Sequence, residues 1–156
     1  MINLDIGCGK RPKDGWIGLD ISDFPGIVKY DMRKDKLPYD DNSVDAIRCI
    51  NTLEHISREY YKELFNDWWR VLKVGGTCEI VVPNATSVEH AWGDITHITP
   101  WVKLTFRYLT GERPRYADYG FKHWAIIELC DLPQETRDIY ALITPKLDKN
   151  GQKYVR

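Results

Sequence analysis

The sequence predicts a single-domain α/β protein with a mostly parallel sheet that closes with a C-terminal antiparallel pair of strands. Short apolar runs alternate with polar connections from Ile2 to Val82, and one of these connections has helical periodicity. Two further apolar runs, joined by a polar loop, follow between residues 124 and 144. Strands that alternate with a helical segment are typical of parallel sheets. The length of 156 residues favours one domain.

Five predicted strands make up the parallel part of the sheet: Ile2–Ile6, Trp16–Ile21, Ile27–Tyr30, Val44–Ile50 and Glu79–Val82. Only residues 7–15 connect the first two strands, whereas a parallel crossover usually takes a dozen residues or more. We therefore expect a loop or a single helical turn in place of the first helix.

The predicted helix follows the fourth strand. Ser57 is its expected N-cap, apolar side chains recur at helical spacing from Tyr61 to Leu72, and Gly75-Gly76 ends the connection. Residues 124–130 and 139–144 form the predicted closing strands, within a closing region of 124–145, and residues 146–156 are expected to be a solvated tail.

Composition excludes several classes of protein. Apolar residues make up 43% and charged residues 29%, which argues against a disordered or fibrous chain. No apolar run approaches the roughly 18–20 residues of a transmembrane helix, and the net charge of -1 gives no general attraction to nucleic acid. The four cysteines match no zinc framework, and strand-like alternation begins at Ile2, so we expect a cytoplasmic protein with reduced thiols and no signal peptide.

Small or polar residues follow each of the first four predicted strands. These residues are Gly7, Cys8 and Gly9, then Asp20, then Asp31, and finally Asn51. The carboxyl ends of parallel strands meet at one edge of the sheet, where ligands bind. A dinucleotide fingerprint does not fit, because Pro12 occupies the place of its third glycine and Asp20 lies too close to Gly9.

Several segments resemble the motifs of class I S-adenosylmethionine-dependent methyltransferases, a family with a Rossmann-like fold. Leu4-Asp5-Ile6-Gly7-Cys8-Gly9 is similar to the first motif, and Gly18-Leu19-Asp20-Ile21 is similar to the acidic second motif. Three further segments fall in the family's order: residues 37–45 (L-P-F-x-D-x-S-F-D in the family), residues 51–56 (S-x-L-E-H) and residues 70–76 (R-V-L-K-P-G-G). The resemblance covers residues 2–84.

This resemblance implies S-adenosylmethionine as cofactor, bound by residues of the 1–84 half. Asp5, Gly7 and Gly9 would border its methionine part, Asp20 would hold the ribose hydroxyls, and Asn51 would lie near the sulfonium. Asp31 and Met32 would flank the adenine, and Cys8 and Ile21 complete the implied set. Arg11 replaces the usual third glycine and the first helix is missing, which indicates a compact subgroup.

Residues 85–123 are predicted to form a lid or substrate segment, and Asp94-Ile95-Thr96-His97 supplies its candidate base. An aspartate that orients a histidine is a common general-base arrangement, so His97 with Asp94 is the first candidate and His55 the second. His90, Asp94 and His97 share helical spacing that could hold iron. Gly93 and the β-branched residues beside it weaken a helix there, and no metal is assigned.

The sequence thus predicts a methyltransferase that acts on a small-molecule or sugar-type acceptor. A cofactor-binding or regulatory module without turnover is one alternative, because the first helix is missing and Arg11 replaces a glycine. A nucleic-acid methyltransferase is another, since residues 92–124 are rich in aromatic and basic side chains. The local charge excess is small for a nucleic-acid footprint, so we expect no nucleic-acid partner.

Overall fold

The computed structural model describes residues 1–111, 119–133 and 136–154. Its seven strands are β1 (Asn3–Ile6), β2 (Ile17–Asp20), β3 (Val28–Lys29), β4 (Val44–Ile50), β5 (Leu72–Pro83), β6 (Trp124–Asp131) and β7 (Asp138–Pro145). They form one sheet in the order β3-β2-β1-β4-β5-β7-β6. Strands β1 to β5 are parallel, and β7 pairs antiparallel with both β5 and β6. The predicted Rossmann-like fold class is confirmed.

Among the described residues, three α-helices accompany the sheet: α1 (Tyr61–Val71), α2 (Val88–Trp92) and α3 (Lys103–Phe106). Helix α1 buries Leu64, Phe65 and Trp68 in the core. The prediction that Ser57 caps this helix is wrong, because a separate 3-10 turn at Arg58–Tyr60 follows Ser57, whose side chain makes no capping bond. In the described parts of the chain, no helix combines the length and apolar character needed to cross a membrane.

The connection between β1 and β2 contains no helix, as predicted. It lies directly on β2, and Gly18 makes this possible: a Cβ there would come within 2.8 Å of Cys8 Sγ and 2.9 Å of Pro12 Cβ. The backbone N–H of Lys13 donates to Asp5 Oδ2 at 2.8 Å and ties the loop to β1. Loop side chains therefore fill the space that a crossover helix would cover.

Strand β5 is longer than predicted, because it begins at Leu72 rather than Glu79. Val44 pairs with Leu72 and Ala46 pairs with Thr77, so the four residues between Leu72 and Thr77 bulge opposite a single residue of β4. Gly75 has a φ of +77°, which glycine adopts at little cost. The two glycines form a bulge within the strand instead of ending the connection.

The end of the chain is not a solvated tail, and that prediction is wrong for residues 146–154. The Lys153 ammonium donates to the carbonyls of Trp69 and Arg70, at the C-terminal end of α1. Tyr154 stacks on His123 with 5.1 Å between ring centroids. A cation is favoured at a helix C-terminus, where carbonyl groups lack partners. Lys153 therefore caps the C-terminal end of α1.

Two backbone hydrogen bonds attach the segment after β5 to the loop after β4. The N–H groups of Ile98 and Thr99 donate to the carbonyl oxygen of Glu54 at 2.9 and 3.0 Å. Thr99 Oγ1 also donates to the Ile56 carbonyl at 2.8 Å. The predicted lid segment 85–123 thus reaches the carboxyl edge of the sheet, although residues 112–118 of it lie outside the described residues.

Candidate functional site

A cavity of about 360 Å³ opens at the carboxyl edge of β1, β2 and β4. This volume is within the range of ligand pockets in proteins. The residues predicted from the sequence that line it are Gly7, Asp20, Ile21, Asp31, Met32, Asn51 and His55. Tyr30, Arg33, Thr52 and Ile56 also line it, and the sequence analysis had not singled them out.

The Asp20 carboxylate is fixed at the end of β2 by two backbone donors. Its Oδ2 accepts the N–H of Gly9 at 2.8 Å, and its Oδ1 accepts the N–H of Ser22 at 2.9 Å. Each carboxylate oxygen can accept more than one hydrogen bond. The group is therefore preorganised to accept further donors from a ligand in the cavity.

The ends of β1 and β4 approach each other closely at this edge. Gly7 has a φ of +72°, and a Cβ on it would come within 2.4 Å of the Thr52 side chain. Asn51 also adopts a left-handed conformation, with a φ of 47°. A glycine is required at position 7 both by its backbone conformation and by the lack of space beside it.

Asp31 lies in the cavity wall, where Arg33 engages its carboxylate. Arg33 Nε and Nη2 each donate to a different oxygen of Asp31 at 2.8 Å. These hydrogen bonds lower the pKa of Asp31 to about 2. The carboxylate is ionised at neutral pH and held in one orientation.

Three residues of the implied cofactor set do not line the cavity. Asp5 is buried beneath the loop, where Arg48 Nη1 lies 3.2 Å from both of its oxygens. Cys8 packs on Gly18, and burial raises the pKa of its thiol. Gly9 acts through its N–H bond to Asp20.

Glu54, His55 and His97 form a cluster beside this cavity, with their ligating atoms all within 4.8 Å of one another. His55 Nε2 and His97 Nε2 each lie 3.9 Å from Glu54 Oε1. Glu54 is buried, and its Oε2 has no hydrogen-bond partner among the described residues. Burial raises the pKa of Glu54 to about 7. Glu54 lies in the 51–56 segment that resembles a family motif, and that motif by itself predicts no role for its side chain.

The other ring nitrogens of the two histidines face hydrogen-bond acceptors. His97 Nδ1 lies 2.7 Å from the Ala91 carbonyl oxygen, so it is the Nδ1 that carries the proton. His55 Nδ1 lies 3.2 Å from the Thr96 carbonyl oxygen and 3.0 Å from Thr96 Oγ1. Because Thr96 Oγ1 donates to Asp94 Oδ1 at 2.6 Å, it accepts from His55. In the neutral form of each ring, Nε2 therefore presents its lone pair toward Glu54.

The predicted pairing of Asp94 with His97 needs correction. Asp94 Oδ2 lies 3.8 Å from His97 Nε2, which exceeds hydrogen-bond length. Asp94 instead accepts from the backbone and side chain of Thr96, because two residues of separation favour such a local turn. His90 faces away from the cluster and lies 2.7 Å from Asp138 Oδ1, so the helical grouping of His90 with His97 does not form.

A second cavity of about 500 Å³ lies between α1 and the segment after β5. Half of the described residues that line it are aromatic, namely Tyr61, Phe65, Trp101, Tyr108, Tyr119 and Phe121. Thr99 borders this cavity and Ile56 borders the first one. The two cavities approach each other where Thr99 donates to the Ile56 carbonyl.

Comparisons with known proteins agree with this geometry. Residues 20–80 match the family described as a methyltransferase domain. An uncharacterised protein from Methanocaldococcus jannaschii is 35% identical over 98 residues, which is 54% of this chain and 42% of that protein. The chain thus spans less than half the length of this relative.

Two solved structures show the same fold. An S-adenosylmethionine-dependent methyltransferase from Archaeoglobus fulgidus aligns with a TM-score of 0.65 and 20% identity, over 90% of this chain and 84% of its own. A phosphoethanolamine N-methyltransferase from Haemonchus contortus, in complex with phosphoethanolamine and S-adenosylhomocysteine, aligns with a TM-score of 0.63 and 14% identity. That alignment covers 90% of this chain and 38% of the other.

The residues at the edge of the sheet fit the cofactor of such proteins. A fixed carboxylate ends β2, apolar Ile21 and Met32 line the wall, and the cavity has the volume of a ligand pocket. The Haemonchus contortus structure contains S-adenosylhomocysteine. The chain thus has the Rossmann-like fold of the class I S-adenosylmethionine-dependent methyltransferases, and its residues 20–80 match a methyltransferase domain.

Proposed function

We propose that the chain catalyses methyl transfer from S-adenosylmethionine to a hydroxyl group of a small, sugar-type acceptor. The observation that carries the proposal is the position of His55. It lines the strand-edge cavity and also belongs to the cluster with Glu54 and His97. The proposed cofactor site and a set of groups able to take a proton therefore meet at one residue.

In this proposal the cofactor supplies a methyl group activated by the positive charge on sulfur. Asp20 accepts hydrogen bonds from the ribose hydroxyls, Asp31 and Met32 flank the adenine, and Asn51 lies near the reacting end. The acceptor oxygen forms a bond to the methyl carbon while the carbon–sulfur bond breaks and its electron pair goes to sulfur. The protein mainly supplies proximity and alignment, which can be worth roughly 7–11 kcal/mol.

The acceptor proton is lost at the Glu54–His55–His97 cluster. His97 and His55 are the proposed catalytic residues, and their Nε2 lone pairs both face the interior of the cluster. Asp94 is a positioning residue, because it orients Thr96, which in turn orients His55. General acid–base groups typically contribute about 10²–10⁴-fold to the rate.

The aromatic cavity is the proposed acceptor site. Tyr108 and Tyr119 are partly exposed, with 5.9 Å between their ring centroids. Aromatic side chains offer apolar faces together with polar edges, a combination suited to the apolar faces and hydroxyl groups of a sugar ring. Thr99 of this cavity donates to the carbonyl of Ile56, which lines the cofactor cavity, so an acceptor bound here would lie near the cofactor.

The test is transfer of labelled methyl groups to a panel of sugars, sugar nucleotides and small hydroxylated metabolites. We expect turnover with a member of this panel and a loss of about 10²–10⁴-fold in kcat for His97→Ala. His90→Gln is the matched control, since it changes a histidine of the same segment that pairs with Asp138 outside the cluster. Binding of S-adenosylhomocysteine without transfer to any acceptor would contradict the proposal and favour the binding or regulatory module.

A further inference from the structure

We propose that Glu54, His55 and His97 form a binding site for one divalent first-row transition-metal ion. The role of the ion in methyl transfer rests on the proposed function, whereas the existence of the binding site does not. Two imidazoles and one carboxylate are a ligand set that holds such ions in proteins. The three side chains come from two segments that are far apart in sequence, the loop after β4 and the segment after β5.

The first argument is that three acceptors face one another. Hydrogen bonds to Ala91 and Thr96 place the ring protons of both histidines on Nδ1, which leaves lone pairs on both Nε2 atoms. These lone pairs and Glu54 Oε1 converge, with 3.9 Å from each Nε2 to the carboxylate oxygen. A cation among the three atoms would satisfy all of them at once.

The second argument is the environment of the carboxylate. Only 3% of the Glu54 side chain is exposed, and Oε2 has no hydrogen-bond partner among the described residues. An ionised group that is buried without compensation is costly, and buried charges are therefore paired or bound to metals. No arginine or lysine forms an ion pair with Glu54 in the described parts of the chain; its two ion-pair neighbours there are the histidines.

The outer contacts are also those of a metal site. Histidine ligands almost always donate their second ring N–H to a carbonyl or carboxylate, which fixes the ring. His97 does so directly with Ala91, and His55 does so with Thr96, which Asp94 holds in turn. Asp94 is not among the residues whose ligating atoms converge, so we place it outside the ligand set.

The distances fit an ion after a small adjustment. Metal–nitrogen and metal–oxygen bonds of about 2.0–2.2 Å put tetrahedral ligand atoms about 3.4 Å apart. The observed 3.9 Å from each Nε2 to Glu54 Oε1 requires an approach of about half an ångström, and the two histidine ligand atoms lie within 4.8 Å of each other. Three protein ligands leave at least one position open, as in catalytic rather than structural sites.

The open position explains what the ion would do. His55 is partly exposed and lines the cofactor cavity, so an ion bound to it would lie at the end of that cavity. Coordination of an acceptor hydroxyl lowers its pKa, and the proton then leaves to solvent or to a nearby base. With the ion bound, the acceptor proton is still lost at this cluster, and His97 and His55 contribute to its loss through the ion that they hold.

The experiment uses tag-free protein that has been treated with chelator and dialysed. Co²⁺ is titrated with detection by visible absorption, and Zn²⁺ and Mn²⁺ are titrated by calorimetry, with Mg²⁺ as a hard-cation comparison. We expect one Co²⁺ per chain, and dissociation constants at least ~10-fold higher for His97→Ala and Glu54→Gln, since loss of even an outer contact costs that much. His90→Gln should bind like the unmodified protein.

Separate readouts distinguish the possible failures. Circular dichroism and thermal unfolding establish that each variant is folded, and Glu54→Gln preserves the size of the side chain. Absence of stoichiometric Co²⁺ or Zn²⁺ binding, or equal binding by all variants, overturns the metal site. S-adenosylhomocysteine binding is measured on the same samples. If the protein binds metal but not S-adenosylhomocysteine, the proposed function alone is overturned. If it binds S-adenosylhomocysteine but not metal, the metal site alone is overturned.

Discussion

Replacement of Asp20 by alanine is expected to weaken binding of S-adenosylhomocysteine by about 10²–10⁴-fold. The carboxylate is already held by the N–H groups of Gly9 and Ser22 at 2.8 and 2.9 Å, so it is ready to accept two ribose hydroxyls. A hydrogen bond to a charged group contributes about 1.5–3 kcal/mol. Two such bonds amount to about 3–6 kcal/mol, and each 1.4 kcal/mol is about tenfold in affinity.

Two further variants separate the contributions of charge, shape and position. Asp20→Asn keeps the shape and one acceptor oxygen, so we expect an intermediate loss of about tenfold. Asp23→Ala is the control, because Asp23 is an exposed carboxylate close by in sequence. It should leave the dissociation constant unchanged.

Isothermal titration calorimetry at fixed ionic strength measures all three variants beside the unmodified protein. Far-ultraviolet circular dichroism checks that the alanine variant is folded, since it also loses the bond that anchors Gly9. A folded Asp20→Ala protein whose affinity stays within about threefold of the unmodified protein would refute the ribose assignment.

Three predictions concern stability. Gly7→Ala should lower the free energy of unfolding in urea by about 1–3 kcal/mol more than Gly9→Ala does. Both glycines have positive φ, but a Cβ at position 7 would come within 2.4 Å of a neighbouring side chain, whereas a Cβ at position 9 would meet nothing within 4 Å. The pKa of Asp31 is about 2 in the folded state, below its unfolded value, so its pair with Arg33 stabilises the protein above about pH 4 and this stability is lost as the pH falls toward 2. Arg33→Met should make that loss smaller, and the effect should be modest because Arg33 is half-exposed and solvent screens the pair; unfolding at neutral pH and at pH 2.5 measures the difference. Lys153→Met should lower the free energy of unfolding by about 1–2 kcal/mol, because the last carbonyls of α1 lose their donor, while ligand binding stays unchanged; thermal denaturation together with calorimetry checks both parts.

The strand-edge residues could be predicted because their positions follow from local pattern alone. Alternating apolar residues fix where a parallel strand ends, and the ends of neighbouring parallel strands share an edge. Asp20, Asp31 and Asn51 therefore line one cavity as expected. Asp5 does not, because side chains alternate along a strand and the one before Ile6 faces Arg48 on the neighbouring strand.

The cluster could not be assembled from the sequence, because it depends on long-range contacts. Glu54 and His97 are brought together by backbone bonds from Ile98 and Thr99, and no periodicity reports such bonds. The role of Asp94 was misassigned for a related reason. Its spacing from His97 suggested a pair, but the local turn with Thr96 competes successfully for the carboxylate.

Glu54 divides two tasks between its main chain and its side chain. The carbonyl oxygen accepts hydrogen bonds from two N–H groups of the segment after β5 and holds that segment in place. The carboxylate faces the two imidazoles. A substitution at this position alters the chemistry of the cluster and leaves the fastening bonds in place, since every residue supplies the same carbonyl. The reactivity of the cluster and the attachment of the segment after β5 can thus change independently at this one residue.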